Sequence, residues 1–360
     1  MDILGLRAGV CCPRFLIPAK ISNKMRSWQL WLGVLISALF LWVALRGLQL
    51  AEVLQVLATA RLFWLLPGVA AYMLGLWVRT WRWRHLLRPV QDVPVRTLFP
   101  VVAIGYMGNN IYPARIGELL RAYILKRKCG VAASATLATV VVERVFDGVV
   151  MLGFVMFNLP ALAAAAGDSG FVGSIQSVAL WGALAFGAAL ALFVAAAIFP
   201  GRAARSVQAV LARLLPQRWQ GRAGGLVSRF LGGLAALRSP REALLVLLTS
   251  LVIWLLETGK YWFVMHAFDF SVSFFALMLM NGIVNLATTI PSAPGYVGTF
   301  DAPGIAVLRA FGVAGHVAAA YTLLLHAALW LPVTALGLYY FGRESLSWAQ
   351  VRNLRGSQLS

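Results

Sequence analysis

The chain has 360 residues, 61% of them hydrophobic and 12% charged, and a mean hydropathy of +0.80. Soluble domains hold roughly 45–50% apolar and about 25% charged residues, so the composition excludes a soluble globular protein and makes lipid the solvent. The formal net charge of +19, from 31 Lys and Arg against 12 Asp and Glu, would point a soluble protein to nucleic acid but a membrane protein to basic loops facing anionic lipid.

In chain order, residues 1–27 read as a cytoplasmic tail, irregular and basic at Arg14, Lys20, Lys24 and Arg26, without the apolar core and cleavage site of a signal peptide. Met25 is an alternative start within it. A helix crosses hydrocarbon in about 20 mostly apolar residues. That length predicts six spans, at Trp28–Leu45, Leu62–Arg79, Ala132–Leu159, Ile175–Phe199, Ala243–Phe268 and His316–Phe341. Two further apolar regions, 98–125 and 274–311, are broken by proline, glycine and polar residues in GYMGNNIYPARIGE and MNGIVNLATTIPSAPGYVGTF. Each half is too short to cross, which predicts re-entrant hairpins turning at Pro113 and at Pro291–Pro294.

The positive charges test this topology. With the first residues inside, the chain is inside again at Arg79, Arg82, Arg84, Arg88 and Arg96, and at Lys126, Arg127 and Lys128 if the first hairpin returns. The basic loop 200–242 and the tail 343–360 then fall on the same side, while the opposite loops hold few charges, Arg46, Glu52, Arg61, Asp168 and Asp269, with Arg309 returning to that surface. This asymmetry follows the positive-inside rule and sets nucleic acid aside. Pro113 precedes Gly130-Val131-Ala132 much as Pro294 precedes Gly312-Val313-Ala314, each time before a spanning helix. The expected fold is therefore an all-α polytopic membrane protein with about six transmembrane helices and two re-entrant broken hairpins, as an inverted repeat over residues 28–342.

The candidate site residues lie at these breaks and inside the spans. Pro113 suits the first turn of a helix, whose free N–H groups favour an anion. Arg115, Glu118 and Arg121 follow three residues apart, two guanidinium forks with a carboxylate between them; the bland alternative is a solvated interfacial patch. Glu143 and Asp147 share a face of the third span, with Arg144 able to pair with Asp147. Glu143 lies roughly 16 Å into a core about 30 Å thick, where unpaired charge costs several kcal/mol; the alternatives are a site and a structural ion cluster. Glu257 and Lys260 form either a self-satisfied pair or an outward contact for a moving charge. Around the second break, Asn285, Ser292, Pro294, Gly295, Gly298 and Asp301 supply polar groups and turns, with Asn110 before the first. Arg79, Arg82 and Arg84 alternate with Trp77, Trp81 and Trp83, mostly an aromatic belt with snorkelling cations, the minority reading being a lipid-phosphate contact. Cys11, Cys12 and Cys129 and four scattered histidines have no metal spacing, so no metal or cofactor is expected.

These motifs resemble a known family. Arg79 with Arg82-Trp83, then N-x-Y-P-A-R-x-G-E-x-x-R from Asn110 to Arg121, E-R-x-x-D from Glu143 to Asp147, and P-x-x-P-G-x-x-G from Pro291 to Gly298 look like the flippase-like membrane domain of the lysylphosphatidylglycerol synthetase family. The resemblance covers about residues 28–342 and implies a bacterial inner-membrane protein with re-entrant helices that moves a lipid or lipid-linked molecule between leaflets; the charge count sets both termini on the cytoplasmic side. It implies a functional set of Arg115, Glu118, Arg121, Glu143, Arg144 and Asp147. The bifunctional synthetases carry a C-terminal aminoacyltransferase domain, whereas this chain stops about 20 residues after its last span, so it is expected to be a stand-alone member without lysyl transfer.

The expectation is a non-enzymatic flippase for an anionic phospholipid or lipid-linked intermediate, with lipid-pathway enzymes as further candidate partners. The rivals are an intramembrane lipid-modifying transferase, with Glu143 or Glu118 as base, and a non-catalytic subunit of a cell-envelope lipid pathway.

Overall fold

A computed structural model describes residues 49–112, 115–166, 170–214, 216–289 and 294–344, with isolated positions between 35 and 46. The expected span Trp28–Leu45 lies largely outside the described residues, as do Pro113, Asp168, Pro291, Ser292 and most of both tails. The described residues are helical, without a strand. The helices are α1 (Leu50–Ala58), α2 (Leu65–Leu87), α3 (Val95–Ile111), α4 (Ile116–Cys129), α5 (Ala133–Ala166) and α6 (Gly170–Ile198), then α7 (Pro200–Leu214), α8 (Gln217–Gly233), α9 (Pro240–Met265), α10 (Phe274–Ala287), α11 (Asp301–Ala310) and α12 (Gly315–Arg343). Among these residues five helices are long and apolar enough to span, Leu62–Leu87, Ala133–Ala165, Ile175–Ile198, Pro240–Met265 and Gly315–Arg343. They match five of the six expected spans, and the chain is an all-α polytopic membrane protein.

Local chemistry sets the helix ends. Ser239 accepts from the Glu242 N–H with Pro240 in the first turn of α9, and Ser273 accepts from the Ala276 N–H at the start of α10, each meeting one otherwise orphaned donor. The stretch 200–242 is not an irregular loop. Its apolar and basic residues alternate at helical spacing, so it folds as α7 and α8, with Arg202, Arg205, Arg213, Arg222 and Arg229 exposed. By contrast α6 displays Leu180, Trp181, Leu184 and Leu192 on its surface, as expected of a helix at the lipid-facing periphery.

Both broken regions are helix–break–helix hairpins, α3–α4 and α10–α11. The break forces left-handed backbone on one non-glycine residue in each, Arg115 (φ 53°) and Tyr296 (φ 61°), no others among the described residues. Each second helix leads to a glycine with positive φ, Gly130 (74°) or Gly312 (82°), then Val-Ala and a long span.

The packing repeats in the same order. α2 runs antiparallel to α9: Gly68 meets Val264, Arg79 meets Glu257 and His85 meets Glu242. The first arm of each hairpin packs antiparallel on the other half's last span. Phe99 meets Tyr340 and Asn110 meets Thr334 for α3 on α12, and Phe275 meets Phe157 and Gly282 meets Met151 for α10 on α5. Exchanging α2 with α9, α3 with α10, α4 with α11 and α5 with α12 maps these pairs onto one another. Because the equivalent helices α2 and α9 are antiparallel, the relation is an inverted repeat. The two largest apolar cores lie one around Leu98, Ile104, Leu120 and Val333, the other around Val155, Leu279, Val307 and Tyr321. Each borrows residues from the opposite half, Val333 and Phe341 in the first and Leu152, Val155 and Leu162 in the second.

Candidate functional site

Between these cores lies a network of charged side chains. Three glycines let α3 and α4 approach closely, and Gly117 is the tightest: a Cβ there would overlap the Gly105 carbonyl oxygen. That approach buries Arg121, whose Nη2 donates to Glu143 Oε2 at 2.9 Å while its guanidinium lies 4.0 Å from the Trp83 ring centroid. Glu143 also faces Arg82 Nη2 at 3.7 Å. Arg82 in turn donates to Asp147 at 2.6 and 3.2 Å in a forked pair, with Ser250 Oγ 2.5 Å from Nη1. Arg82, Glu143 and Asp147 are each 2% exposed, so no water competes for these bonds.

The network extends in two directions. The Trp254 indole N–H donates to Asp147 at 3.1 Å, and the same ring lies 5.3 Å beneath Arg79. Arg79 donates to Glu257 at 2.7 Å, and Glu257 also holds Lys260. The other arm is more open. Arg144 Nε lies 3.1 Å from Glu118 Oε1, which faces Arg115 at 4.0 Å, and these three side chains are 29%, 20% and 30% exposed. Arg115 donates to the Thr288 carbonyl at 3.4 Å and so joins the two breaks. Nearby, Trp330 donates to the Asn110 carbonyl at 3.4 Å.

The structure thus brings Arg115, Glu118, Arg121, Glu143, Arg144 and Asp147 into one cluster, together with Arg79, Arg82, Glu257 and Lys260. Several expectations need correction. Arg79 and Arg82 are not snorkelling cations of an aromatic belt: facing acids on α5 and α9 draw both inward, and of the three only Arg84 is not buried, half-exposed and paired with Asp92. Arg115, Glu118 and Arg121 do not share one face, because Arg115 is the left-handed N-cap and α4 begins at Ile116. Arg121 points inward and Glu118 toward Arg144. The nearest partner of Arg144 is Glu118, with Asp147 at 3.9 Å. Glu257 and Lys260 do pair, but Arg79 makes the pair a triad.

Asn285 donates to Asn281, which itself donates to Thr258 and the Trp254 carbonyl. Gly295, Gly298 and Asp301 join a separate cluster around His326 at the second hairpin, with Pro294 starting its short 3₁₀ turn. Ser250, Trp254, Asn281 and His326 carried no signal in the sequence, since lone polar residues in apolar spans gain meaning only through partners. No group of three or more metal-ligating side chains occurs among the described residues. A groove of about 620 Å³ at the far end of the first hairpin, lined by Arg96, Lys128, Tyr340 and Arg343, lies apart from this network.

The fold and site define a polytopic helical membrane protein with an ionic network between two broken hairpins. Residues 30–337 match the family described as the lysylphosphatidylglycerol synthase TM region, and the chain belongs to that family. It is 27% identical over 331 residues to the glycosyltransferase AglD of Haloferax volcanii, covering 85% of this chain and 52% of the relative. The chain thus spans about half the length of that relative. It is 25% identical over 333 residues to a UPF0104 membrane protein of Methanothermobacter thermautotrophicus, covering 85% and 90%. A UPF0104 membrane protein of Methanocaldococcus jannaschii is 22% identical over 313 residues, covering 84% and 91%.

Proposed function

We propose that the chain moves an anionic phospholipid or lipid-linked intermediate across the cytoplasmic membrane of a bacterium, with both termini on the cytoplasmic side. The observation that carries this reading is the charge balance of the network. Arg79, Arg82, Arg115, Arg121, Arg144 and Lys260 face Glu118, Glu143, Asp147 and Glu257, six cations against four carboxylates, an excess of two positive charges. In addition, the Nε–H groups of Arg79, Arg82 and Arg121 meet no acceptor among the described residues. Buried donors without acceptors are costly, and the oxygens of a phosphate head group would satisfy them and offset the charge. The partly exposed edge of Arg115, Glu118 and Arg144 is where the head group enters, and the exchange of partners among the paired residues lets it pass.

On this reading the chain is not itself an enzyme, and its partners are anionic lipids and the enzymes of a lipid pathway. A second reading, an intramembrane lipid-modifying transferase, draws on the name of the AglD relative. One experiment separates them. Purified protein in liposomes with fluorescent phosphatidylglycerol should speed leaflet exchange, Arg121→Ala and Glu143→Gln should slow it at least about tenfold, roughly 1.4 kcal/mol of barrier, and the recovered lipid should have unchanged mass. Equal exchange in all three proteins sinks transport through this network; an altered lipid mass establishes the transferase.

A further inference from the structure

The inverted repeat gives the network's outer pair an image in the other half. Arg144 follows Gly130 by the same 14 residues that separate His326 from Gly312. Its partner Glu118 lies in the first turn of α4, as Asp301 lies in the first turn of α11. Arg144 meets Glu118 at 3.1 Å, and His326 Nδ1 meets Asp301 Oδ1 at 2.9 Å. The same device is therefore built twice, with a permanent cation in one half and a titratable ring in the other.

Both ring nitrogens of His326 face acceptors. Nε2 lies 2.7 Å from the Gly295 carbonyl oxygen, while Nδ1 faces Asp301, whose other oxygen accepts from the Gly298 N–H at 2.8 Å. A neutral imidazole has one N–H and one lone pair. With Nε2–H donating to Gly295, the contact with Asp301 needs a second proton, on Nδ1 or on the carboxyl. Without it a lone pair faces a carboxylate oxygen, and the contact becomes repulsive. Asp301 is 1% exposed, so water cannot relieve that repulsion.

The contact is also mechanical. It ties α12 to Gly295 in the break and to α11 beyond it, and a Cβ on Gly295 would lie 2.9 Å from Trp330 Nε1 and 3.5 Å from the Asn110 carbonyl of the first hairpin. The charged groups on the surrounding helices have other partners. Glu52 on α1 faces His316, Arg79 on α2 and Glu257 and Lys260 on α9 form their triad, and Glu143, Arg144 and Asp147 on α5 are in the network. On α3, Arg96 lines the distant groove with Arg343 of α12, while Tyr106 faces Arg79; Arg309 on α11 is exposed. Tyr296 adjoins Gly295 in the break itself.

We propose that His326 and Asp301 form a proton-binding site whose occupancy holds the second hairpin's break against α12 and the first hairpin, coupling hairpin movement to protons. The link to transport rests on the function proposed above; the proton site itself does not.

Hydrogen–deuterium exchange over residues 294–301 of the full-length protein in micelles, corrected for the intrinsic effect of pH, reads the tether directly. Deprotonating the site by raising the pH should remove protection in the native protein. His326→Arg, which copies Arg144, should stay protected throughout, and His326→Gln should stay exposed. A native profile identical to that of both variants overturns the site. In liposomes of phosphatidylethanolamine and phosphatidylglycerol, a gradient of one pH unit should change native exchange of fluorescent phosphatidylglycerol by up to about tenfold and leave His326→Arg insensitive. Gradient-independent native exchange overturns the coupling. Absence of native exchange alongside a pH-dependent tether overturns the transport reading and leaves the proton site standing.

Discussion

At the first break, Arg115, Glu118 and Arg144 open onto a network that reaches Lys260 on α9; at the second, Asp301, His326 and the backbone of Gly295 and Gly298 close on one another. The backbones are alike, each with one left-handed non-glycine residue in the break and a left-handed glycine at the end. Their loads differ. The first hairpin presents fixed charge and unmatched donors, while the second presents a self-contained pair that needs a proton. A repeat of this kind supplies the scaffold twice and leaves chemistry free to diverge, so that one half can hold an anion while the other governs movement.

The largest expected contrast between the halves is steric. Gly117→Ala sets a Cβ against the Gly105 backbone, which cannot yield without separating α3 from α4, whereas Gly304→Ala meets only side chains, the flexible end of Met280 at 2.7 Å and Thr322 Cγ2 at 3.0 Å. The first change should abolish the monodisperse folded protein on size-exclusion chromatography, and the second should lower its melting temperature only modestly, since side chains can shift and helical Ala offsets part of the rearrangement. Equal behaviour would break the picture of a tight first and looser second hairpin.

Next come the buried ions. Removing one partner, by Asp147→Leu or Arg82→Met, should cost about 3–5 kcal/mol in reversible unfolding from mixed micelles, and the two replacements together should cost less than either alone. An additive double mutant would mean that the two side chains are energetically independent despite their forked contact.

Smaller and symmetric effects should follow at the glycines after each hairpin. Gly130→Ala and Gly312→Ala enter open space at positive φ, so each should lose about 1 kcal/mol from the left-handed backbone alone. Unequal losses would show that the two ends are not equivalent.

The smallest effect lies outside the network. A hydrogen bond from Arg84 holds the Asp92 carboxyl below the usual carboxylate range. Its contribution is present above the unfolded-state pKa and is lost as pH falls through the folded value. Asp92→Asn should therefore flatten the acid limb of the melting-temperature profile and change little at neutral pH.

Much of the scaffold was legible because lipid imposes a length and a polarity on every span. Leu62–Leu87, Pro240–Met265 and Gly315–Arg343 stand out as apolar runs of sufficient length, and proline with glycine marked both breaks. The site was legible only in part. Acids and arginines in apolar sequence declare themselves through their solvation cost, as Glu143, Arg144 and Asp147 do. Arg79 and Arg82 were misread because a cation near a span's end can reach water or an internal acid equally well, and the acids that claim them lie on other helices.

By itself, then, the sequence determined the solvent, five of the described spans, the two interrupted hairpins and which charges needed company, all through local hydropathy and backbone preference. Only the tertiary structure decided which charges pair, because Arg82 and Asp147 are 65 residues apart and Arg79 and Glu257 are 178 apart. The same is true of His326: its meaning came from an inverted packing that set two acceptors on opposite edges of one ring.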